Sequence, residues 1–121
     1  MSASEPVTAE RPWGSWHVLD EGDGFKVKRI EVRPGHRLSY QTHEQRSEHW
    51  LVVSGTATCV VGDRVVQVGP GEHLDVARGV AHRIGNGSAT PLVVIEVQRG
   101  PYTGEDDIVR LEDDYDRCRT S

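Results

Sequence analysis

From Phe25 to Gln98 the chain is a succession of short β-prone runs, each closed by a turn signal, and this limits its fold more than any other feature. The runs are FKVKRIEV, RLSYQTH, EHWLVVS, TATCVV, RVVQV, EHLDV, AHRI and PLVVIEVQ, and the punctuation includes Pro34-Gly35, Ser54-Gly55, Gly69-Pro70-Gly71 and Gly85-Asn86-Gly87. Runs recurring at roughly 8–12 residues predict an all-β sandwich or barrel. No long segment keeps the 3.6-residue apolar period that a packed helix needs. Gly62-Asp63, between CVV and RVV, predicts a tight two-residue hairpin.

A chain of 121 residues encloses one core, so one domain has to carry the function. Residues 1–10, small and polar, are expected to form a flexible leader, with the single domain running over 11–121. The segment Arg11-Pro12-Trp13-Gly14-Ser15-Trp16 is expected to fold over the domain's surface and anchor there through its indoles. Near the C-terminus, Ile108, Val109, Leu111 and Tyr115 are expected to pack a short strand or helical turn while the acidic residues face water.

Residues 105–121 hold seven acidic and three basic side chains, and the rest of the chain is nearly balanced at 12 against 11. The acidic tail and neutral body offer no basic stripe for a nucleic-acid backbone, so nucleic acid is not expected as a partner. The N-terminus has neither the basic start nor the apolar run of a secretory signal, and no apolar run is long enough to span a membrane. A cytoplasmic location with no membrane partner is therefore expected. Cys59 in an apolar run and Cys118 in the polar tail are read as free thiols, Cys59 buried.

Between Gly35 and Gly55 lie Gln41, His43 and Glu48, and a second glycine-punctuated stretch from Gly71 to Asn86 carries His82. Strand side chains alternate faces, so Gln41 and His43 share one face, and Glu48 shares the face of Trp50 and Val52. Converging inside a barrel, Gln41, His43, Glu48 and His82 would make a site for one divalent ion. Two imidazoles, a carboxylate and an amide oxygen suit zinc, manganese, cobalt, nickel or iron without selecting among them. His49 is expected on the opposite face from Glu48, and His17, His36 and His73 are expected at the surface.

The order glycine, five residues, Gln41-x-His43, four residues, Glu48, six residues, Gly55 resembles the first cupin motif, with Gln41 where many cupins carry histidine. Gly71, five residues, Ala77-x-Gly79, two residues, His82, three residues, Asn86 resembles the second, with Ala77 in place of the usual proline. Together RPWGSW, FKVKRIEVRPG, LSYQTHEQRSEHWLVVSGTA, HRIGN, PLVVIEVQRGPYTGEDDIVR and EDDYDR look like the cupin domain of type II mannose-6-phosphate isomerases. The resemblance implies a cupin double-stranded β-helix, or jelly-roll barrel, with a short N-terminal arm and acidic C-terminal tail. It also implies a divalent metal, a homodimer, and interconversion of mannose 6-phosphate and fructose 6-phosphate. Alternatives from the same fold are an oxygenase, another sugar isomerase or epimerase, and a non-catalytic sugar-phosphate-binding protein. Type II enzymes often join this domain to a nucleotidyltransferase; no such stretch occurs in these residues, so a separate nucleotidyltransferase is a candidate partner and guanylyltransferase activity is not expected of this chain.

Isomerisation through an enediol needs an acid–base group, an electrophile and a cation for the phosphate. Lys28 has the parity of Ile30 and Val32, and Glu96 that of Val94 and Gln98, which makes these two the catalytic candidates on inward faces. Arg46, between His43 and Glu48, and Arg83, next to His82, are the candidates for binding the substrate phosphate, since a guanidinium matches phosphate bidentately.

Overall fold

The computed structural model describes residues 6–115. Among them are eleven strands and no helix. In chain order these are β1 Thr8–Arg11, β2 Gly14–Gly22, β3 Phe25–Val32, β4 Tyr40–Thr42, β5 Ser47–Ser54 and β6 Ala57–Val61. Then come β7 Arg64–Val68, β8 His73–Val76, β9 His82–Gly85, β10 Leu92–Arg99 and β11 Val109–Glu112. They form a six-stranded sheet in the order β1-β2-β3-β10-β5-β8 and a five-stranded sheet in the order β11-β4-β9-β6-β7, paired antiparallel throughout. The two sheets close over one core as a jelly roll. The expected hairpin is present: β6 and β7 pair Val61 with Arg64, and Gly62 has a φ of 61°.

The inward rows of β3, β10 and β5 stack across the large sheet in layers. Ile30, Val94 and Val52 face one another in register, then Lys28, Glu96 and Trp50, then Lys26, Gln98 and Glu48. All nine are buried. The first layer belongs to the apolar core with Val32, Leu92, Cys59, Ile84 and Val76. The third is wholly polar. One end of the barrel is therefore packed with hydrocarbon, and the other encloses charge.

Three expectations need correction. Residues 8–10 of the presumed leader are tied into the sheet, with Thr8 to Arg11 in register with His17 to Gly14. Trp13 and Trp16 are buried core residues, not a surface anchor: Trp16 is carried inside by the pairing of Gly14–Gly22 with β3, and Trp13, just before that strand, is tied by its carbonyl to the Arg33 N–H. The expected short strand forms as β11, with Ile108 lining the barrel cavity and Tyr115 packed against the core, but Val109 and Leu111 are half exposed, and Arg110 turns toward the barrel interior. Cys59 is buried, and burial pushes its thiol up to about 12. Cys118 lies outside the described residues.

Gly55 turns the chain out of β5 at a φ of 83°, and a Cβ there would meet the Pro91 carbonyl oxygen at 2.7 Å. Gly71 has a similar φ of 82° with nothing within 4 Å. Both substitutions to alanine carry the left-handed penalty of about 1–2 kcal/mol, and only Gly55→Ala adds a backbone collision. Urea unfolding should show Gly71→Ala costing about that penalty and Gly55→Ala clearly more.

Candidate metal centre and pocket

At the polar end of the barrel, β5 supplies Glu48, β9 supplies His82, and the turn after β4 supplies His43. His43 Nε2 lies 3.2 Å from Glu48 Oε2 and His82 Nε2 lies 3.5 Å from Glu48 Oε1. One ligand atom from each of the three falls within 4.8 Å of the others. The two ring planes are tilted at 44° with centroids 4.9 Å apart.

The protonation of this trio follows from its partners. His43 Nδ1 meets the Asp107 carbonyl oxygen at 2.6 Å and His82 Nδ1 meets the Val80 carbonyl oxygen at 2.9 Å. A carbonyl only accepts, so both rings donate from Nδ1 and present a lone pair at Nε2. Burial, then the charge of Arg46, pushes His43 down to about 4, and burial also lowers His82. Two neutral nitrogen acceptors thus converge on a carboxylate. An acceptor-only set of this composition fits a divalent cation.

Arg46 supplies positive charge to the same spot. Its Nε donates to Glu48 Oε2 at 2.9 Å, one terminal nitrogen lies 2.8 Å from that oxygen, and the same nitrogen lies 3.2 Å from His43 Nε2. Gln41 is opposite His82 in register and its amide nitrogen donates to Ser39. Its oxygen is the atom it has left to offer.

The trio borders a cavity of about 100 Å³, walled by Trp16, Lys28, Gln41, Trp50, Glu96 and Arg110 among others. Glu96 is fixed on both oxygens, accepting from Gln98 Nε2 at 2.6 Å and from Trp50 Nε1 at 3.1 Å. Burial, then the charge of Glu48, pushes its carboxyl up to about 7. Lys28 pairs with it across the strands, sits 4.0 Å from the centre of the Trp16 ring, and reaches Glu105 Oε2 at 2.6 Å.

The expected site residues do not all converge. Gln41, His43, Glu48, His82, Arg46, Lys28 and Glu96 gather around this cavity. Arg83 borders it, but its guanidinium is committed elsewhere, donating to the Leu38 carbonyl at 2.9 Å and lying near Glu112 and Asp114. It is the poorer phosphate candidate. His49 points outward, as expected from alternation.

The segment between β10 and β11 contributes residues that sequence reasoning left in solvent. Thr103 and Glu105 hold Lys26, Glu105 holds Lys28, and Asp107 accepts from the backbone N–H groups of Glu44 and Gln45 while its own carbonyl fixes His43. An acidic run reads as a solvated face, and nothing local marks these three residues as different.

The pattern of the family described as Mannose-6-phosphate isomerase C-terminal matches residues 2–113. The chain belongs to this family. Relatives of this family member include the xanthan biosynthesis protein XanB of Xanthomonas campestris pv. campestris (strain B100), 51% identical over 88% of this chain and 23% of that protein. The alginate biosynthesis protein AlgA of Pseudomonas aeruginosa is 49% identical and the mannose-1-phosphate guanylyltransferase ManC of Salmonella typhimurium 45%, each over 88% of this chain and 22% of the relative. This member of the Mannose-6-phosphate isomerase C-terminal family spans less than a quarter of those proteins. Among solved structures, oxalate decarboxylase of Lactobacillus farciminis superposes with a TM-score of 0.75 at 20% identity, covering 86% of this chain and 33% of that one. Oxalate decarboxylase of Bacillus subtilis, described for its Mn(II) centres, gives 0.75 at 21% identity, covering 89% and 30%. These likenesses show the cupin fold.

The same relatives correct the activity drawn from the sequence. They are named for guanylyltransferase activity or for xanthan and alginate biosynthesis. The match therefore shows a cupin domain family and does not make this chain a mannose 6-phosphate–fructose 6-phosphate isomerase.

Glu105 is held below the usual carboxylate range: burial opposes this, but Lys28 and Lys26 outweigh it. A depressed folded value means that its stabilisation is present above the unfolded carboxylate range and is lost as pH falls through the folded value. Glu105→Gln should cost about 1–2 kcal/mol at pH 7, discounted for partial exposure. In urea unfolding, the gap from the parent chain should close progressively in acid.

Proposed function

We propose that this chain is the metal-dependent cupin module of a mannose-phosphate nucleotidyltransferase system. In this reading it binds a phosphorylated sugar and moves a proton at the carbon beside the sugar carbonyl, the chemistry of the aldose–ketose isomerase class, with no particular sugar pair assigned. The observation that carries it is the acceptor-only trio of His43, Glu48 and His82 beside a buried Lys28–Glu96 pair in one cavity.

His43, Glu48 and His82 would hold the ion, with Gln41 as a fourth side chain. A bound divalent ion would supply Lewis acidity toward a substrate oxygen. Glu96 is the candidate to take and return the proton, since hydrogen bonds from Trp50 and Gln98 fix both its oxygens and leave its orientation no freedom. Lys28, across from Glu96, supplies a positive charge where negative charge develops on the sugar. Arg46 is the candidate for the phosphate, being a cation already at the cavity and able to exchange Glu48 for another anion. The indoles of Trp16 and Trp50 line the space and keep water from the reacting carbon.

The guanylyltransferase name of the Salmonella typhimurium relative supports a nucleotidyltransferase as partner. Homodimerisation is part of the same proposal, supported by the edge strands β1 and β7, each with one neighbour. A cytoplasmic location goes with it, because phosphorylated sugars and nucleotides are intracellular metabolites.

Incubating the metal-loaded chain with a panel of hexose phosphates in D2O tests the reading. Proton NMR should show deuterium replacing the carbon-bound hydrogen next to the carbonyl of at least one sugar. Glu96→Gln should slow this by about 10²–10⁴-fold while sugar binding persists. Sugar binding without exchange in the parent chain would contradict the catalytic reading.

A further inference from the structure

On the outside of the barrel, away from the cavity, β5 and β8 bring a second pair of histidines together. His49 faces Asp75 directly in register and His73 faces Leu51, so both rings and the carboxylate stand on the outer face of the large sheet. The His49 and His73 rings are 5.0 Å apart at 35°, against 4.9 Å and 44° for the inner pair. His49 Nδ1 is hydrogen-bonded to Asp75 Oδ1. A carboxylate only accepts, so His49 donates from Nδ1, which leaves Nε2 as the ring nitrogen available to a ligand. A carboxylate behind an imidazole is the arrangement that orients and strengthens a histidine ligand.

We propose that His49 and His73 bind one late first-row divalent ion, of the zinc, nickel or copper type, with Asp75 positioning His49. Both ligands stand on paired strands of one sheet, so little ordering remains to be done on binding. The neighbours of His49 and Leu51 on the other side, Val97 and Ile95 of β10, bring no competing cation. The His49 side chain is 42% exposed and that of Asp75 77%, so water completes the coordination. Among the described residues only the inner trio gathers three ligand atoms within 4.8 Å. The outer site is thus a two-imidazole site. Its nitrogen donors favour nickel, copper and zinc, whereas the inner nitrogen-and-oxygen set also suits manganese. His49 stands far in sequence from His73 and 26 residues from Asp75, so no short motif marks the cluster.

The test is titration of the tag-free, chelator-stripped chain with Ni2+, followed by calorimetry and by the histidine ring signals in NMR. At micromolar Ni2+ the His49 and His73 signals should broaden. His49→Ala and His73→Ala should each abolish that binding step, and Asp75→Asn should weaken it about tenfold. His73→Gln, which keeps a polar side chain at the exposed position, should lose the step as well, and His36→Ala should leave it unchanged. Replacing both His43 and His82 by alanine should remove the inner step alone, so failure of the inner site and failure of the outer one read separately. Unchanged His49 and His73 signals, a nickel step that survives in His49→Ala and His73→Ala, or binding only at millimolar Ni2+ overturns the proposal.

Discussion

The barrel's polar end is organised by one carboxylate. Glu48 is 4% exposed and faces two imidazole lone pairs, an arrangement that repels unless a positive charge is added. An uncompensated buried carboxylate would cost several kcal/mol. Arg46 provides that compensation, with its nitrogens shared between Glu48 and His43. The same electrostatic demand is what a divalent ion would satisfy, so Arg46 and a metal would compete for one place. A guanidinium displaced from Glu48 would still be beside the cavity, where a phosphate could receive it.

The layered register of the large sheet explains how such a site is tolerated. Antiparallel pairing aligns apolar with apolar at Ile30, Val94 and Val52, and polar with polar at Lys26, Gln98 and Glu48, with the Lys28–Glu96–Trp50 layer between. The strap from Thr103 to Asp107 then caps the polar layer, pairing both lysines and fixing His43. Fold stability and site geometry thus depend on the same contacts. Loosening the strap would release two buried ammonium groups and one metal-ligand candidate together.

Much of this was legible because strands have a period of two. Alternation alone puts Lys28, Glu48 and Glu96 on inward faces, and glycine punctuation separates the runs that became β3 to β10. What stayed hidden enters from far along the chain: Glu105 reaches Lys26 across 79 residues and Asp107 reaches His43 across 64. Composition marks 105–107 as acidic, and only the fold shows that Glu105 neutralises buried lysines. The N-terminal strands were missed for a related reason. The pattern GSWHVLDEG does not alternate cleanly, so Trp16 looked like an anchor when its ring is a wall of the cavity. The family was readable from its motif spacings, whereas the activity was borrowed from a family label that the relatives' names do not repeat.

In the proposed reading His43, Glu48 and His82 form a cation site for which Arg46 stands in. Crystals of the chain grown with Mn2+ and measured for manganese anomalous scattering test it directly. The expected result is an anomalous peak between Nε2 of His43, Nε2 of His82 and the Glu48 carboxylate, with the Arg46 guanidinium turned off Glu48. A cavity without anomalous density at saturating manganese, and with Arg46 still bonded to Glu48, would contradict it.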